Sequence, residues 1–266
     1  MLLSIVTVCR NEEKRIARTI KSVLAQREID FEYIVLDGKS TDGTLKVLES
    51  FQKDFANKGV VYKVISENDT GIYNAMNNAL KYVNGEWIIY LNAGDCLYTK
   101  DLIEIINSNK NHIDIIYGDV IFVENGYYKK RKAADHSCLP VTMPMCHQSV
   151  ICRTELMREY KYRENYRLAA DYDFLLRSYW NGKTFEHVHE AISIYTLDGQ
   201  STTNAWKYQL EMMKSGRDVY GFNPEYQCKA FLNSVVRMTK IFLAYTFNDL
   251  YHSKKRGWKK VKHKEQ

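Results

Sequence analysis

The chain has 266 residues, of which 45% are hydrophobic and 26% are charged, as in globular proteins with a sizeable buried core. Lys and Arg number 38 and Asp and Glu number 32, a formal charge of +6. Residues 254–266 hold seven of the 38 basic and one of the 32 acidic side chains, so residues 1–253 carry 31 of each sign and are neutral. A neutral body excludes a protein built around a broad basic face, and the sequence predicts no nucleic-acid partner.

Neither targeting signals nor membrane spans are apparent in the sequence. The apolar run at Leu2–Val8 is short and lacks a basic lead, which does not resemble a signal peptide. There is no run of about 18 apolar residues, so no membrane-spanning helix is expected. The six cysteines are scattered without a CxxC pair, which favours reduced thiols and a cytoplasmic location.

Apolar runs alternate with helix-like segments in the first half of the chain. The runs that predict strands are Leu3–Val8, Tyr33–Leu36, Val60–Ile65 and Trp87–Leu91. Predicted helices follow Asn11 as N-cap, begin again near Asp42, and span Ile72–Val83. Continuous apolar strands separated by helices indicate a parallel sheet covered on both faces. The predicted fold class is α/β, a doubly wound and mainly parallel sheet.

The pattern changes after residue 113. Asn125-Gly126 between the strand-like runs Ile113–Val123 and Tyr127–Lys130 predicts a hairpin. The remaining predicted elements are a loop over 131–146, a strand over Ser149–Arg153, and helices over Tyr172–Trp180, Ala205–Tyr220 and Gln227–Tyr251. Without a linker or repeat, we expect a catalytic domain over 1–204 (halves 1–98 and 99–204), a helical C-terminal extension over 205–253 and a basic tail over 254–266.

Polar side chains follow each of the four predicted parallel strands. Ligands of such sheets bind just beyond the carboxyl ends of the strands. The residues there begin at Thr7, Asp37, Ser66 and Asn92, and they are rich in carboxylates and amides. None of these loops is a GxGxxG or a GxxxxGK[ST] loop, so dinucleotide and P-loop sites are unsupported. The pattern favours a hydroxyl-rich, phosphate-bearing ligand with a divalent metal.

Four segments together resemble the family-2 inverting glycosyltransferases. They are Ser4–Glu12, Val35–Thr44, Ser66–Asn77 and Trp87–Asp95, in the family's order and with plausible spacing over residues 1–180. The resemblance implies the A-type glycosyltransferase fold, transfer of a sugar from a nucleoside diphosphate, and use of Mn²⁺ or Mg²⁺. Structural alternatives remain for single residues, because Asp before Gly is common in turns and Asp also caps helices.

The resemblance also implies roles for individual residues. Asp37 would accept the imide N–H of uracil. The other predicted donor-binding residues are Thr7, Arg10, Glu12, Asp69, Asn74, Asn77, Asn92 and His147. Asp95 would contact the metal, although Asn92 and Gly94 stand where the family often has Asp, which predicts weak metal affinity without the nucleotide.

The predicted catalytic base is Asp171, with Asp173 in reserve. The inverting reaction needs a base that takes the proton of the acceptor hydroxyl, and the segment Leu168–Arg177 resembles the one where the family places that carboxylate. A role for Asp171 as helix N-cap is the structural alternative. His187 and His189 share a face at strand spacing, yet no partner ligands suggest zinc. Gly199–Thr203 weakly resembles a family loop near the diphosphate.

These observations predict a metal-dependent hexosyltransferase of bacterial surface polysaccharide assembly, such as O-antigen synthesis. It would move a hexose from UDP-glucose, UDP-galactose or an N-acetylated form to a polyprenyl-diphosphate-linked sugar, forming a β-linkage. The basic tail and the amphipathic last helix would attach it to the inner face of the cell membrane; a disordered tail or nucleic-acid binding are the alternatives. A catalytically weakened nucleotide-sugar-binding protein or a sugar nucleotidyltransferase are the rival functions.

Overall fold

The computed structural model describes residues 1–124, 127–196, 204–246 and 259–260. Its first half alternates strands and helices as predicted. The strands are β1 (Leu3–Cys9), β2 (Phe31–Asp37), β3 (Val61–Ser66) and β4 (Trp87–Tyr90), and the helices are α1 (Ile16–Leu24), α2 (Thr44–Ser50), α3 (Gln52–Lys58) and α4 (Ile72–Ala79).

These four strands form a parallel sheet in the order β3-β2-β1-β4. Cys9 at the end of β1 pairs with Asp37 at the end of β2, which brings the polar residues after both strands to one edge. β1 and β2 are buried along their whole length. β3 is the edge strand, and its residues are only partly buried, which corrects the expectation that every strand of this half is covered on both faces.

The second half extends the sheet with antiparallel strands. Its strands are β5 (Cys96–Leu97), β6 (Ile115–Glu124), β7 (Tyr127–Arg131), β8 (Val150–Arg153), β9 (Phe185–Thr196) and β10 (Lys259–Lys260). Its helices are α5 (Leu102–Asn109), α6 (Thr154–Tyr160), α7 (Ala170–Trp180), α8 (Ala205–Tyr220) and α9 (Pro224–Thr246). β8 pairs antiparallel with both β4 and β6, and β9 pairs parallel with β6 across an irregularity near Asp119. The sheet is therefore mixed, with a parallel half that carries the predicted donor site.

Several boundaries differ from the sequence-based expectations. The helix expected from residue 42 is two helices that meet at Phe51, and α6, β5 and the long β9 were not predicted. The hairpin of β6 and β7 is confirmed by the antiparallel pairing of Glu124 with Tyr127; its two turn residues lie outside the described ranges. Asn11 is not the N-cap of α1, because that position is Arg15. Asn11 instead adopts φ 56° and accepts a hydrogen bond from the backbone N–H of Thr41 at 2.8 Å.

Two apolar clusters cover the faces of the sheet. On one face, Val6 of β1, Ile34 of β2 and Ile88 of β4 pack with helices α4 and α7. On the other face, the neighbouring residues Ile5, Val35 and Ile89 pack with helices that include α1 and α5. Each fully buried side chain of this size contributes about 1.5–3 kcal/mol relative to an exposed one. This packing makes the carboxyl edge of the parallel strands a rigid platform for the residues that follow them.

Only a small part of the predicted basic tail falls within the described residues. Lys259–Lys260 pair antiparallel with Tyr127 and Tyr128, so β10 extends the sheet beyond β7. The rest of 254–266 lies outside the described ranges. Among the described helices, none combines the length and apolarity that crossing a bilayer requires.

Candidate active site

Asp37 ends β2 at the carboxyl edge of the sheet and is almost completely buried. Its carboxylate accepts hydrogen bonds from the backbone N–H of Ser40 at 3.0 Å, from the hydroxyl of Ser66 at 2.7 Å and from the hydroxyl of Ser40. These donors stabilise a charge in a buried place and fix the carboxylate beside the loop that follows β2. Recognition of the base by Asp37 is a proposal, since its oxygens already accept from these three donors and from the thiol of Cys9 at 4.0 Å.

The loop after β3 packs against the loop after β2. A side chain at Gly38 would collide with the carboxylate of Asp69, and the Cβ of Arg10 lies 3.4 Å from the same point. Asp69 is held by the backbone N–H of Gly71, which donates to its Oδ1 at 2.9 Å. Gly38 is therefore surrounded by three predicted site residues, Arg10, Asp37 and Asp69. Because each lies at or just after the end of a different strand, the ends of these strands meet at one place, as the predicted site needs.

Two predicted donor-binding residues have other contacts. The Thr7 side chain is fully buried and accepts a hydrogen bond from the hydroxyl of Tyr33 at 3.0 Å, so it lies in the core and does not line the site. Glu12 binds Arg15 through both carboxylate oxygens, at 2.7 and 2.8 Å. The backbone of Thr7 is part of β1 and leads toward the site. Its side chain packs in the core, which corrects its predicted role in donor binding.

Asn74 and Asn77 share one face of α4, as their spacing predicts. Their side-chain amides donate to the two carboxylate oxygens of Glu164, at 3.0 and 2.9 Å. Asn77 also bonds both backbone groups of Tyr162, at 2.9 Å each. The pair therefore anchors the segment before α7 to α4, and Asn74 has the more exposed contacts of the two.

Asp95 follows β4 and is 7% exposed. Its Oδ2 accepts a hydrogen bond from the side-chain amide of Gln148 at 2.7 Å, and its Oδ1 accepts one from the backbone N–H of Thr196 at 3.3 Å. Burial raises the pKa of Asp95 to about 6, while the Gln148 bond and the nearby His147 act in the opposite direction. A bound cation would stabilise the charged form of Asp95 and so offset the effect of burial on its pKa.

Asn92 supplies a second oxygen near the end of β4. Its side-chain amide lies 3.1 Å from Nε2 of His147, while its buried Oδ1 has no hydrogen-bond partner. An unpartnered buried amide oxygen and a buried carboxylate with a raised pKa are the hard oxygen donors that Mn²⁺ and Mg²⁺ prefer, so these residues fit a divalent cation. Within the described ranges no three His, Cys, Asp or Glu side chains converge, so the protein would supply only part of the coordination.

Asp171 lies in the first turn of α7, and it is 7% exposed. Its Oδ2 is 3.3 Å from Nδ1 of His147, and its Oδ1 lies 3.1 Å from the hydroxyl of Tyr73 and 2.9 Å from the backbone N–H of Tyr172. Burial, followed by the charge of Asp171, raises the pKa of Tyr73, so this hydroxyl keeps its proton. His147 thus connects Asp171 to Asn92, and the predicted base and donor residues form one continuous group.

Asp171 is not the N-cap of α7, because that position is Ala169 and Asp171 is the second residue of the helix. Its Oδ1 nevertheless accepts a hydrogen bond from the backbone N–H of Tyr172 in the first turn, so the side chain also supports the helix start. Asp173 has no exposed surface; its carboxylate binds Nε of Arg177 at 2.8 Å and the hydroxyl of Ser215 at 2.8 Å, with Arg163 at 3.6 Å. The reserve role of Asp173 as base is therefore wrong, because the side chain is enclosed in an ion pair that stabilises the fold.

The histidine pair of β9 lies apart from this group. Nε2 of His187 is 3.1 Å from Oδ1 of Asp119, and the ring stacks on Tyr117 at a centroid distance of 4.9 Å. The rings of His187 and His189 are 4.1 Å apart. Nζ of Lys130, whose side chain is exposed, lies 3.1 Å from the other oxygen of Asp119, so the buried carboxylate of Asp119 has a charged partner in the mixed half of the sheet. The predicted loop Gly199–Thr203 lies outside the described residues.

Sequence reasoning missed contacts that matter for the site. Tyr73 is part of the family-like segment but has no motif of its own, and the contact of Gln148 with Asp95 was not predicted. Glu211 lies on α8 and accepts hydrogen bonds from the backbone N–H groups of Arg167, Leu168 and Ala169, between 2.8 and 3.1 Å. A lone Glu on an amphipathic helix gives no signal in a single sequence, because only the fold brings it to this place.

The chain is similar to known glycosyltransferases in both sequence and structure. The model of "Glycosyl transferase family 2" matches residues 4–181. A "PGL/p-HBAD biosynthesis glycosyltransferase" of Mycobacterium bovis is 28% identical over 203 residues, 74% of this chain and 78% of that protein. A "Poly(ribitol-phosphate) beta-glucosyltransferase" of Bacillus spizizenii is 31% identical over 121 residues, 44% of this chain and 19% of that protein.

Two solved structures share the fold. S. aureus TarS 1-349 in complex with UDP-GlcNAc has a TM-score of 0.67 at 19% identity, over 96% of this chain and 76% of that chain. A mannosyltransferase from Pyrobaculum calidifontis in complex with GDP-Man and Mn²⁺ has a TM-score of 0.62 at 14% identity, over 95% and 81%. The predicted A-type glycosyltransferase fold is confirmed. Because the family model covers most of the predicted catalytic domain, including every strand end of the candidate site, the chain belongs to glycosyl transferase family 2.

Proposed function

We propose that this glycosyltransferase moves a hexose from a UDP-sugar, with inversion and with a divalent metal, to a sugar carried on polyprenyl diphosphate. The observation that carries the proposal is the group Asp171, His147 and Asn92, which joins the carboxylate of Asp171 to the end of β4 through contacts of 3.3 and 3.1 Å. A base beside the predicted donor residues is what direct displacement at an anomeric carbon needs. Displacement of an α-linked diphosphate would leave a β-linkage.

Asp171 would take the proton from the acceptor hydroxyl as that oxygen attacks the sugar. Its Oδ1 is oriented by the hydroxyl of Tyr73 and its Oδ2 by His147, so the carboxylate has a fixed direction. A carboxylate accepts on about four lone pairs, which leaves one for the incoming hydroxyl while Tyr73, His147 and the backbone N–H of Tyr172 remain bound. The hydroxyl of Tyr73, which keeps its proton, donates to Asp171 and holds its carboxyl group toward the incoming hydroxyl.

Asp95 and Asn92 would hold the cation together with the donor's phosphates. When bound, the metal would offset the negative charge that develops on the departing diphosphate. Asp95 contributes charge and Asn92 contributes a buried amide oxygen without a partner. The absence of a second carboxylate at Asn92 and Gly94 supports metal binding that depends on the nucleotide.

The choice of UDP rests on the residues around Gly38. Asp37 offers a carboxylate for an imide N–H, and Arg10 and Asp69 lie beside it. One similar structure is a complex with UDP-GlcNAc and another is a complex with GDP-Man and Mn²⁺, so the fold accepts both kinds of donor. Similarity to the poly(ribitol-phosphate) beta-glucosyltransferase of Bacillus spizizenii supports an acceptor that is a cell-surface polymer or its precursor.

Attachment to the inner face of the membrane is supported by the C-terminal residues. On α9 the side chains of Phe231, Leu232, Val235 and Val236 are each about half exposed and repeat at helical spacing. The tail adds seven basic residues within 254–266. An exposed apolar helix face next to a basic segment suits a surface of anionic lipids.

A non-catalytic nucleotide-sugar-binding protein is the second candidate. The observation that favours it is Asp95, whose two carboxylate oxygens already accept hydrogen bonds from Gln148 and Thr196. A sugar nucleotidyltransferase has no support from the family match.

A donor screen separates these candidates. Purified protein is incubated with UDP-glucose, UDP-galactose and their N-acetylated forms, with and without Mn²⁺, and with a synthetic lipid-diphosphate sugar. We expect metal-dependent release of UDP and a β-linked product, both abolished in Asp95→Ala. Tight UDP binding with no turnover of any donor would instead establish the binding protein.

A further inference from the structure

The start of α7 is held by a carboxylate from α8. The backbone N–H groups of Arg167, Leu168 and Ala169 donate to Glu211 at 3.1, 2.8 and 2.9 Å. Ala169 is the N-cap of α7 and has no side chain that accepts a hydrogen bond. Because free N–H groups before and within the first turn need acceptors, Glu211 supplies from another helix what the local sequence lacks.

Two hydrogen bonds of Tyr73 connect the segment that Glu211 holds to Asp171. The carbonyl of Leu168 lies 2.9 Å from the hydroxyl of Tyr73, and the same hydroxyl lies 3.1 Å from Oδ1 of Asp171. One hydroxyl hydrogen is shared between these two acceptors. The position of Leu168 therefore determines how Tyr73 meets Asp171, and Glu211 determines the position of Leu168.

Two further side chains of α8 bind the same segment. The hydroxyl of Ser215 donates to Oδ1 of Asp173 at 2.8 Å, and the hydroxyl of Tyr166 donates to Asp218 at 2.5 Å. Residues 211, 215 and 218 are spaced four and three apart, so they lie on one face of α8. This face meets the segment 166–173, which contains the proposed base, at three places.

We infer that Glu211 is a positioning residue for the transfer reaction, which holds the segment of Asp171 in its productive place. The inference rests on the proposed function. α8 begins 24 residues after the end of the family match at residue 181, so the C-terminal extension completes a site whose other parts lie inside the family domain. Glu211 itself does not touch the reacting atoms in this assignment, and its effect passes through the backbone of Leu168 and the side chain of Tyr73.

The test combines Glu211→Gln with Glu211→Ala and a matched control. Gln keeps the volume of Glu but loses its charge and one acceptor oxygen, so three N–H groups lose part of their partner. Glu225→Gln is the control, because Glu225 is exposed and binds only its helix neighbour Lys229 among its charged contacts. Amide hydrogen exchange of Arg167, Leu168 and Ala169, UDP affinity, and kcat and KM for transfer are measured on the full-length proteins.

We expect exchange at these three amides to rise by about tenfold or more in Glu211→Gln and further in Glu211→Ala. kcat should fall by about tenfold while UDP affinity and the donor KM stay within about twofold of wild type. Glu225→Gln should behave as wild type. Unchanged exchange, or faster exchange with unchanged kcat, would overturn the inference. Absence of transfer by the wild-type protein, seen before any variant is compared, would instead overturn the proposed function.

Discussion

Nδ1 of His147 lies 3.3 Å from Oδ2 of Asp171, and this contact places the proposed base beside a side chain that also reaches the end of β4. His147 begins the short 3₁₀ turn before β8, and Asp171 belongs to the first turn of α7. The opposite ring nitrogen, Nε2, meets the side-chain amide of Asn92 at 3.1 Å. The imidazole thus fixes the direction of the proposed base relative to the end of β4, where the donor phosphates would bind.

Replacement of His147 tests this link. His147→Ala should lower kcat by about tenfold, because Asp171 loses a partner that orients it and a small displacement of a reacting group is costly. UDP affinity should change little, since Arg10 and Asp37 remain in place. Single-turnover transfer measures the effect. His112→Asn is the control, because His112 is exposed, is not part of the candidate site and has a positive φ that Asn tolerates. Equal rates in wild type and His147→Ala would contradict the assigned role.

Asp173 should matter for stability. Asp173→Asn leaves Arg177 buried without its charge partner, and breaking a buried pair in this way costs about 3–5 kcal/mol. Urea unfolding monitored by tryptophan fluorescence gives the free energy of unfolding. Asp171→Asn serves as the comparison and should cost only about 1 kcal/mol, since Asn can still accept from Tyr73 and no arginine loses a charge partner. Similar stability of the two variants would contradict the separation of their roles.

The pKa of Asp95 predicts a pH dependence of stability. Burial raises this pKa from 3.8 to about 6, so the folded protein favours the neutral form. The contribution of Asp95 to the free energy of unfolding is fully present below pH 3.8 and is lost as the pH rises through about 6. The whole change is about 3 kcal/mol at most. Relative to Asp95→Asn, wild-type protein should lose unfolding free energy between pH 4 and pH 7. A constant difference over this range would contradict the raised pKa.

Metal binding should reverse that effect. A divalent cation binds the ionised carboxylate, so Mn²⁺ affinity measured in the presence of UDP should fall as the pH drops below about 6. Titration calorimetry at pH 5.5 and pH 7.5 measures the difference. Asp95→Asn should bind Mn²⁺ weakly at both values. A wild-type affinity that does not change between them would argue against Asp95 as a ligand.

The basic tail is tested by charge neutralisation. Lys254→Gln with Lys255→Gln should weaken binding to vesicles that contain anionic lipid by about thirtyfold, at about 1 kcal/mol for each of the two charges near the surface. Transfer to a soluble acceptor should be unchanged. Lys46→Gln with Lys53→Gln removes two exposed charges from α2 and α3 and should leave vesicle binding intact. Equal effects of both double variants would contradict a specific role of the tail.

Much of the first half of the fold could be predicted from local patterns. Apolar runs such as Leu3–Val8 and Trp87–Leu91 are nearly the observed strands, because strands buried on both faces need continuous apolar sequence. β9 was missed because its residues, which include His187 and His189, pair with β6 through contacts distant in the chain. Phe51 interrupts a predicted helix for which the apolar spacing alone gives no break.

The site was predictable where a motif carried it. Asp95 and Asp171 lie within segments that resemble the family. The roles of Thr7 and Asp173 depend on the direction in which each side chain points. Strand and helix positions fix the backbone, but burial of Thr7 against Tyr33 and the pairing of Asp173 with Arg177 arise from tertiary packing. The link from His147 to Asp171 spans 24 residues and two elements, so no local pattern encodes it.

Single-turnover transfer by Asp171→Asn, with the UDP-sugar and lipid-linked acceptor found in the donor screen, tests the assignment of the base most directly. An amide cannot take the acceptor proton, and loss of a general base typically costs about 10²–10⁴ in rate. We predict a loss of this size with UDP affinity and unfolding free energy close to wild type. Transfer by Asp171→Asn within about twofold of wild type would contradict the proposed mechanism.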